Sequence, residues 1–224
     1  MIAELVLAVA VSASPATGPT VLDGVKVHLS EGTQQVVTVN YTEGYQARVT
    51  FWKLTDSGWR ARFSADDGRI GYGGLVRGTK RQQGTGTTPL GTYALPWAFG
   101  IGPADDRWKL RYREVETGDF WVQDNESAYY NRYRNKAAGG FRWWLPSSSP
   151  NSSERLRDFP HQYEYSIVTG FNYDEPVRHR GSGIFLHVNG DGATAGCVSA
   201  PRWFLRALLS RLEPSAQPII AIGR

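Results

Sequence analysis

Gly183-Ile184-Phe185-Leu186-His187-Val188-Asn189-Gly190-Asp191-Gly192-Ala193-Thr194-Ala195-Gly196-Cys197-Val198-Ser199 is the run on which the reading of this chain turns. It opens with an apolar, β-like segment that delivers an imidazole at its end. A glycine-rich connector then returns the chain to a thiol preceded by glycine. Cys197 is the only cysteine in 224 residues, so it forms no internal disulfide and is either inert core filler or a reactive nucleophile. A histidine ten positions before it, with a side-chain-free residue beside it where an acyl group must approach, favours the second reading.

The flanking sequence is strand-rich. Gln35 to Tyr41 and Ala47 to Lys53 are dense in β-branched and aromatic residues around a turn at Thr42-Glu43-Gly44. Trp59 to Phe63 alternates apolar and basic residues, which predicts one solvated face. After the cysteine the period changes. Phe204, Leu205, Leu208, Leu209 and Leu212 recur at helical spacing behind Pro201, which predicts a helix whose positive end points towards Cys197. Ile219 to Ile222 reads as a last strand, and Leu145 to Ser153 as the clearest surface loop. The predicted architecture is mainly β, a sandwich or barrel with one or two packed helices, with no repeat and no linker that would split it.

Composition bounds the function class. The chain is long enough for one sizeable core. Eight Trp and 25 Gly lean it towards β structure. A formal charge of +4 suits an anionic neighbourhood, but the basic residues are scattered from Arg60 to Arg134 with no block of five or six, so no nucleic-acid partner is expected. The glycines from Gly68 to Gly91 form no phosphate-cradling pattern. His28, His161 and His179 lack metal-ligand spacing to one another, so no metal or other cofactor is expected. Ile2 to Ala13 is apolar and ends in small residues, as a secretory signal does, although no basic residue precedes it. Residues 1–23 are therefore read as a signal segment or a disordered tail. The stretch is too short for a stable membrane span, and the location expected is extracytoplasmic, secreted or wall-associated.

Several blocks resemble, in order, the L,D-transpeptidase catalytic domain of the YkuD-like family. The family's histidine, glycine-containing stretch and Ser/Thr-x-Gly-Cys-hydrophobic segment are matched by His187, Gly190 and Thr194-Ala195-Gly196-Cys197-Val198. Upstream, Thr88-Pro89-Leu90-Gly91-Thr92-Tyr93 resembles the family's Thr-Pro-x-Gly-x-aromatic turn, followed by Ala98-Phe99-Gly100. Trp121-Val122-Gln123-Asp124 with Ser127, Tyr130 and Asn131 is similar to a block typical of one branch. The likeness runs from about Gln34 to the C-terminus. Many members carry a second histidine before the Gly-Cys pair and an arginine or asparagine two residues after the cysteine, where this chain has Ala195 and Ser199.

What the resemblance implies is specific. Residues 24–224 would be one L,D-transpeptidase-like catalytic domain, a β-sandwich or barrel with one or two packed helices, acting as a monomer on peptidoglycan stem peptides. Cys197 would be the nucleophile, His187 the base, and the carbonyl of Val188 the group that orients the imidazole. The amides of Gly196 and Cys197 would hold the oxyanion, and Tyr130, Asn131, Gly190 and Thr194 would contact substrate. Attack on the bond to the terminal D-alanine would leave a thioester acyl-enzyme, resolved by an amine to make a cross-link. Two alternatives stay open: an L,D-carboxypeptidase using water as acceptor, and a non-catalytic wall-binding module. A papain-like peptidase is disfavoured because there the cysteine precedes the histidine.

Overall fold

The computed structural model describes residues 17–224. Along the chain the strands are β1 (Gly18–Leu22), β2 (Val25–Leu29), β3 (Gln35–Tyr41), β4 (Gln46–Thr55), β5 (Gly58–Arg69), β6 (Leu75–Arg77), β7 (Thr88–Ala94), β8 (Ala98–Gly100), β9 (Tyr112–Glu114), β10 (Asp119–Trp121), β11 (Tyr133–Asn135), β12 (Glu154–Arg155), β13 (Ser166–Val168), β14 (Phe185–Val188), β15 (Val198–Ala200) and β16 (Ile219–Gly223). One α-helix, α1 (Arg202–Leu209), lies between the last two strands. The protein is mainly β, as its residue pattern predicts. Among the described residues no helix is long and apolar enough to cross a membrane.

Eleven strands form one sheet in the order β6-β7-β16-β3-β4-β5-β15-β14-β13-β8-β9. The predicted hairpin of β3 and β4 is its spine, pairing Gln35 with Lys53 through to Tyr41 with Ala47. A three-stranded sheet, β11-β10-β12, and a β1-β2 hairpin complete the strand layers. The hairpin matters for the domain boundary. Leu22, Val25 and Val27 pack with Val36 and Ala221 in a buried cluster, so the folded region begins before Gly24. The reading of a signal or tail otherwise falls on residues 1–16, outside the described residues.

Strand alternation at β14 and β15 divides the interior in two. These strands run parallel, with Leu186 opposite Val198 and His187 opposite Ser199. Successive side chains point to opposite faces. Leu186, Val188, Val198 and Ala200 therefore enter the core that α1 covers with Phe204, Leu205, Leu208 and Leu209. Phe185 and Cys197 enter the other side, an aromatic layer with Phe99, Trp121 and Tyr163. Phe185 sits edge-on to Trp121 at 4.7 Å and to Phe99 at 5.0 Å.

Two sequence expectations change here. The Thr88–Tyr93 block is not a turn but most of β7, an interior strand pairing with β16 and β6, with Gly91 at φ 141°. The helix does not aim at the thiol. Residues 198–201 intervene, and at about 3.3 Å per residue they place the first turn of α1 roughly 15 Å further along the chain, beyond the range of its terminal dipole.

Parallel neighbours normally need a crossover of a dozen or more residues, usually helical. Here nine residues, Asn189 to Cys197, suffice because the connector docks on the segment that ends β5. Arg69 donates to the carbonyls of Gly190 and Gly192. Tyr72 N–H donates to Thr194 O at 2.9 Å, and Thr194 N–H to Ile70 O at 3.0 Å. Gly71 is where these backbones meet: a Cβ there would overlap the Gly86 carbonyl and lie 2.8 Å from Gly196 Cα. Replacing Gly71 by alanine should therefore cost about 1–3 kcal/mol, the usual range for forced overpacking. Urea unfolding checks this, and an unchanged midpoint would contradict the close approach.

Candidate active site

A cleft of about 1220 Å³ opens over the aromatic face of β14 and β15, and His187, Gly190, Thr194 and Cys197 all line it. The Leu145–Ser153 loop supplies one wall, with Trp143 beside it. His187 lies inside β14 rather than at a strand end, and is 6% exposed. Its Nδ1 is 2.8 Å from the Val188 carbonyl. A carbonyl only accepts, so Nδ1 carries the proton and Nε2 keeps its lone pair, the arrangement a base requires. This is the orienting contact expected at Val188. Tyr163 packs edge-on to the ring at 5.5 Å and limits its rotation.

Cys197 is one strand over and two positions back, on the same face as His187. Diagonal neighbours of this kind have Cβ atoms about 7–8 Å apart, a gap that an imidazole and a thiol together can close. At rest they do not touch. The Cys197 thiol donates to Gly183 O at 3.2 Å and accepts from Phe185 N–H at 3.4 Å. Burial pushes the thiol up to about 12, with Glu154 acting in the same direction and the Phe185 amide and Arg81 against it. Burial also lowers His187 to about 4, opposed by its bond to Val188. The resting pair is a neutral thiol and a neutral imidazole, not an imidazolium and thiolate.

The backbone at Cys197 is held by two threonines. Thr194 Oγ1 accepts from Gly196 N–H at 3.1 Å and donates to Cys197 O at 2.6 Å. Thr88 Oγ1 accepts from Gly71 N–H at 2.8 Å and donates to Gly196 O at 2.9 Å. The Gly196 amide is thus already engaged and is not the open oxyanion donor expected of it. Of that pair, the Cys197 amide remains the candidate. Ser199 and Asn189 bond to each other at 2.7 Å, tying the two ends of the connector together.

Tyr130 and Asn131 do not line the cleft. Tyr130 is 2% exposed, its hydroxyl donating to Gln83 Oε1 at 2.7 Å and accepting from Gly181 N–H at 3.1 Å. Asn131 Oδ1 accepts from Trp121 Nε1 at 2.8 Å and from Gly183 N–H at 2.9 Å. Both therefore support the 181–183 segment, whose Gly183 carbonyl receives the thiol proton. Their side chains are consumed by this task. Val188 and Gly196 likewise act from behind the cleft wall through their backbones.

Sequence reading missed three cleft residues. Glu154 accepts from Tyr163 Oη at 2.6 Å and from Gln123 Nε2 at 3.2 Å. Burial raises it to about 7 against both bonds. Tyr163 links it to the His187 ring, and Arg81 lies against Gly196, the residue before Cys197. All three sit in separate segments with no motif of their own. Among the described residues, no three His, Cys, Asp or Glu side chains gather to hold a metal ion.

The two perturbed groups tilt stability in opposite directions. Folded Glu154, raised to about 7 from 4.5, holds a proton that the unfolded chain releases, so its contribution falls as pH rises through that window. Folded His187, lowered to about 4 from 6.5, refuses a proton that the unfolded chain takes, so its contribution falls as pH drops through that window. Relative to wild type, Glu154→Gln should gain stability with rising pH and His187→Gln with falling pH, each by up to about 1.4 kcal/mol per pH unit. Urea melts between the two limits measure this; curves parallel to wild type would remove both groups from the account. Compared with known proteins, the chain matches no family model, no curated protein and no solved structure.

Proposed function

We propose that this protein is a cysteine-dependent L,D-transpeptidase acting on peptidoglycan stem peptides. The observation that carries the reading is His187 held by Val188 O with Nε2 free, diagonal to Cys197 on the same face of the sheet and above one cleft. The ordered blocks from Thr88 to Cys197 supply the substrate class.

In the reaction, substrate displaces the thiol from Gly183 O and brings Sγ to Nε2. The thiol proton passes to His187 as sulfur attacks the carbonyl preceding the terminal D-alanine. A C–S bond forms, the C–N bond breaks, and the imidazolium returns the proton to the leaving amine. Substrate binding in the cleft is what makes this transfer favourable, because substrate dipoles and the Cys197 amide then stabilise charge that the apolar surroundings disfavour. An acceptor amine resolves the thioester into a cross-link. Water in its place makes the enzyme an L,D-carboxypeptidase, with the same first half-reaction.

Incubation with purified disaccharide-tetrapeptide should release D-alanine and add the mass of the acyl group to the intact protein. Cys197→Ala should show neither. His187→Gln should acylate about 10²–10⁴-fold more slowly, with partial recovery in alkaline solution that deprotonates the thiol without a base. D-alanine release by Cys197→Ala at the wild-type rate would falsify the nucleophile. Absence of any adduct on wild type would favour the wall-binding reading instead.

A further inference from the structure

Arg81 is 5% exposed and lines the cleft. Its Nε donates to Thr87 O at 2.7 Å and its Nη1 to Arg180 O at 3.3 Å. Among the described residues Nη2 has no hydrogen-bond partner, and none of the ion pairs includes Arg81. The Phe171 ring lies 5.7 Å from the guanidinium carbon. A buried charge neutralised only by carbonyls is expensive, costing several kcal/mol where no counter-ion repays it. Yet the chain makes room for it. A Cβ at Gly181 would collide with Nη1, and one at Gly196 would lie 2.7 Å from Nη2; both glycines have positive φ.

The free Nη2 therefore rests against the residue preceding the nucleophile. In a peptide whose penultimate carbonyl is attacked, the terminal carboxylate follows one residue later, about 3.8 Å along the chain. A group one residue from the attacked carbonyl is therefore a near neighbour of the sulfur, as Nη2 is through Gly196. We propose that Arg81 forms an anion subsite beside Cys197 that receives the free C-terminal carboxylate of the residue displaced by the thiol. The subsite makes the enzyme specific for peptide ends over internal bonds, and a guanidinium suits a carboxylate better than a point charge would. The identity of the displaced residue rests on the transpeptidase reading; the anion subsite rests on the geometry around Arg81.

Two alkylating probes separate these. Iodoacetate and iodoacetamide attack the same sulfur, but only the first carries a carboxylate. Arg81→Gln should lower the ratio of their rates on Cys197, each normalised to a free thiol, by about tenfold, equivalent to about 1.4 kcal/mol. A change confined to thiolate formation would slow both reagents equally, leave the ratio unchanged and overturn the proposal. Because Arg81 also braces Thr87 and Arg180, the same question is put to wild type: N-acetyl-D-alanine should protect Cys197 from iodoacetamide and its carboxamide should not. Equal protection by both, or by neither, overturns the subsite. In a third arm, stem peptides ending in carboxylate should acylate wild type faster than their carboxamides, with the preference lost in Arg81→Gln. If neither peptide acylates while the alkylation ratio behaves as expected, the transpeptidase reading fails and the anion subsite stands.

Discussion

The parallel pairing of β14 with β15 is the constraint from which the site follows. Because side chains alternate along each strand, the register that seats Leu186, Val188, Val198 and Ala200 beneath α1 necessarily turns His187 and Cys197 to the opposite face. A slip of one residue would bury the imidazole under the helix and expose leucine to the cleft. Four apolar residues thus hold the chemistry in place without touching it. Arg69 and Gly71 contribute by keeping the short connector against the sheet, so the strand that begins after Cys197 lies beside the one that carries His187.

The aromatic layer explains why the Cys197 thiol and the His187 imidazole are both uncharged. Phe99, Trp121, Tyr163 and Phe185 leave little to solvate charge around the thiol and the ring. Both groups are neutral for the same reason, and a thiolate awaits something that supplies compensating dipoles. On the proposed reading that something is substrate, which would limit reaction of the thiol with water-borne electrophiles until a peptide is bound. Two charged side chains also line the cleft, Glu154 held by Tyr163 and Gln123, and Arg81 held by the Thr87 carbonyl.

Much of the fold was legible because local rules agree with it. The β-branched runs at 35–41 and 47–53, the helical period at 204–212 and the apolar run at 219–222 each announce their element. The Thr88 block misled because the family likeness was to a turn; its proline and glycine are both accommodated in β7, where pairing to β6 and β16 outweighs local preference.

The sequence by itself determined the chemistry on offer: one thiol, one histidine at a fixed spacing, and a glycine where the chain must pass closely. The orienting role of the Val188 carbonyl came from the resemblance, and it carries over because a backbone atom is supplied by any residue at that position. Only the tertiary structure decided which polar side chains face the cleft. Tyr130 and Asn131 were expected there from the family resemblance, yet their hydrogen-bonding groups are spent on Gln83, Trp121 and the 181–183 segment. Arg81 and Glu154 carry no local signature, because what distinguishes them is contact with other segments, Arg180 for Arg81 and Tyr163 and Gln123 for Glu154. Those are properties of packing, and no spacing along one chain encodes them.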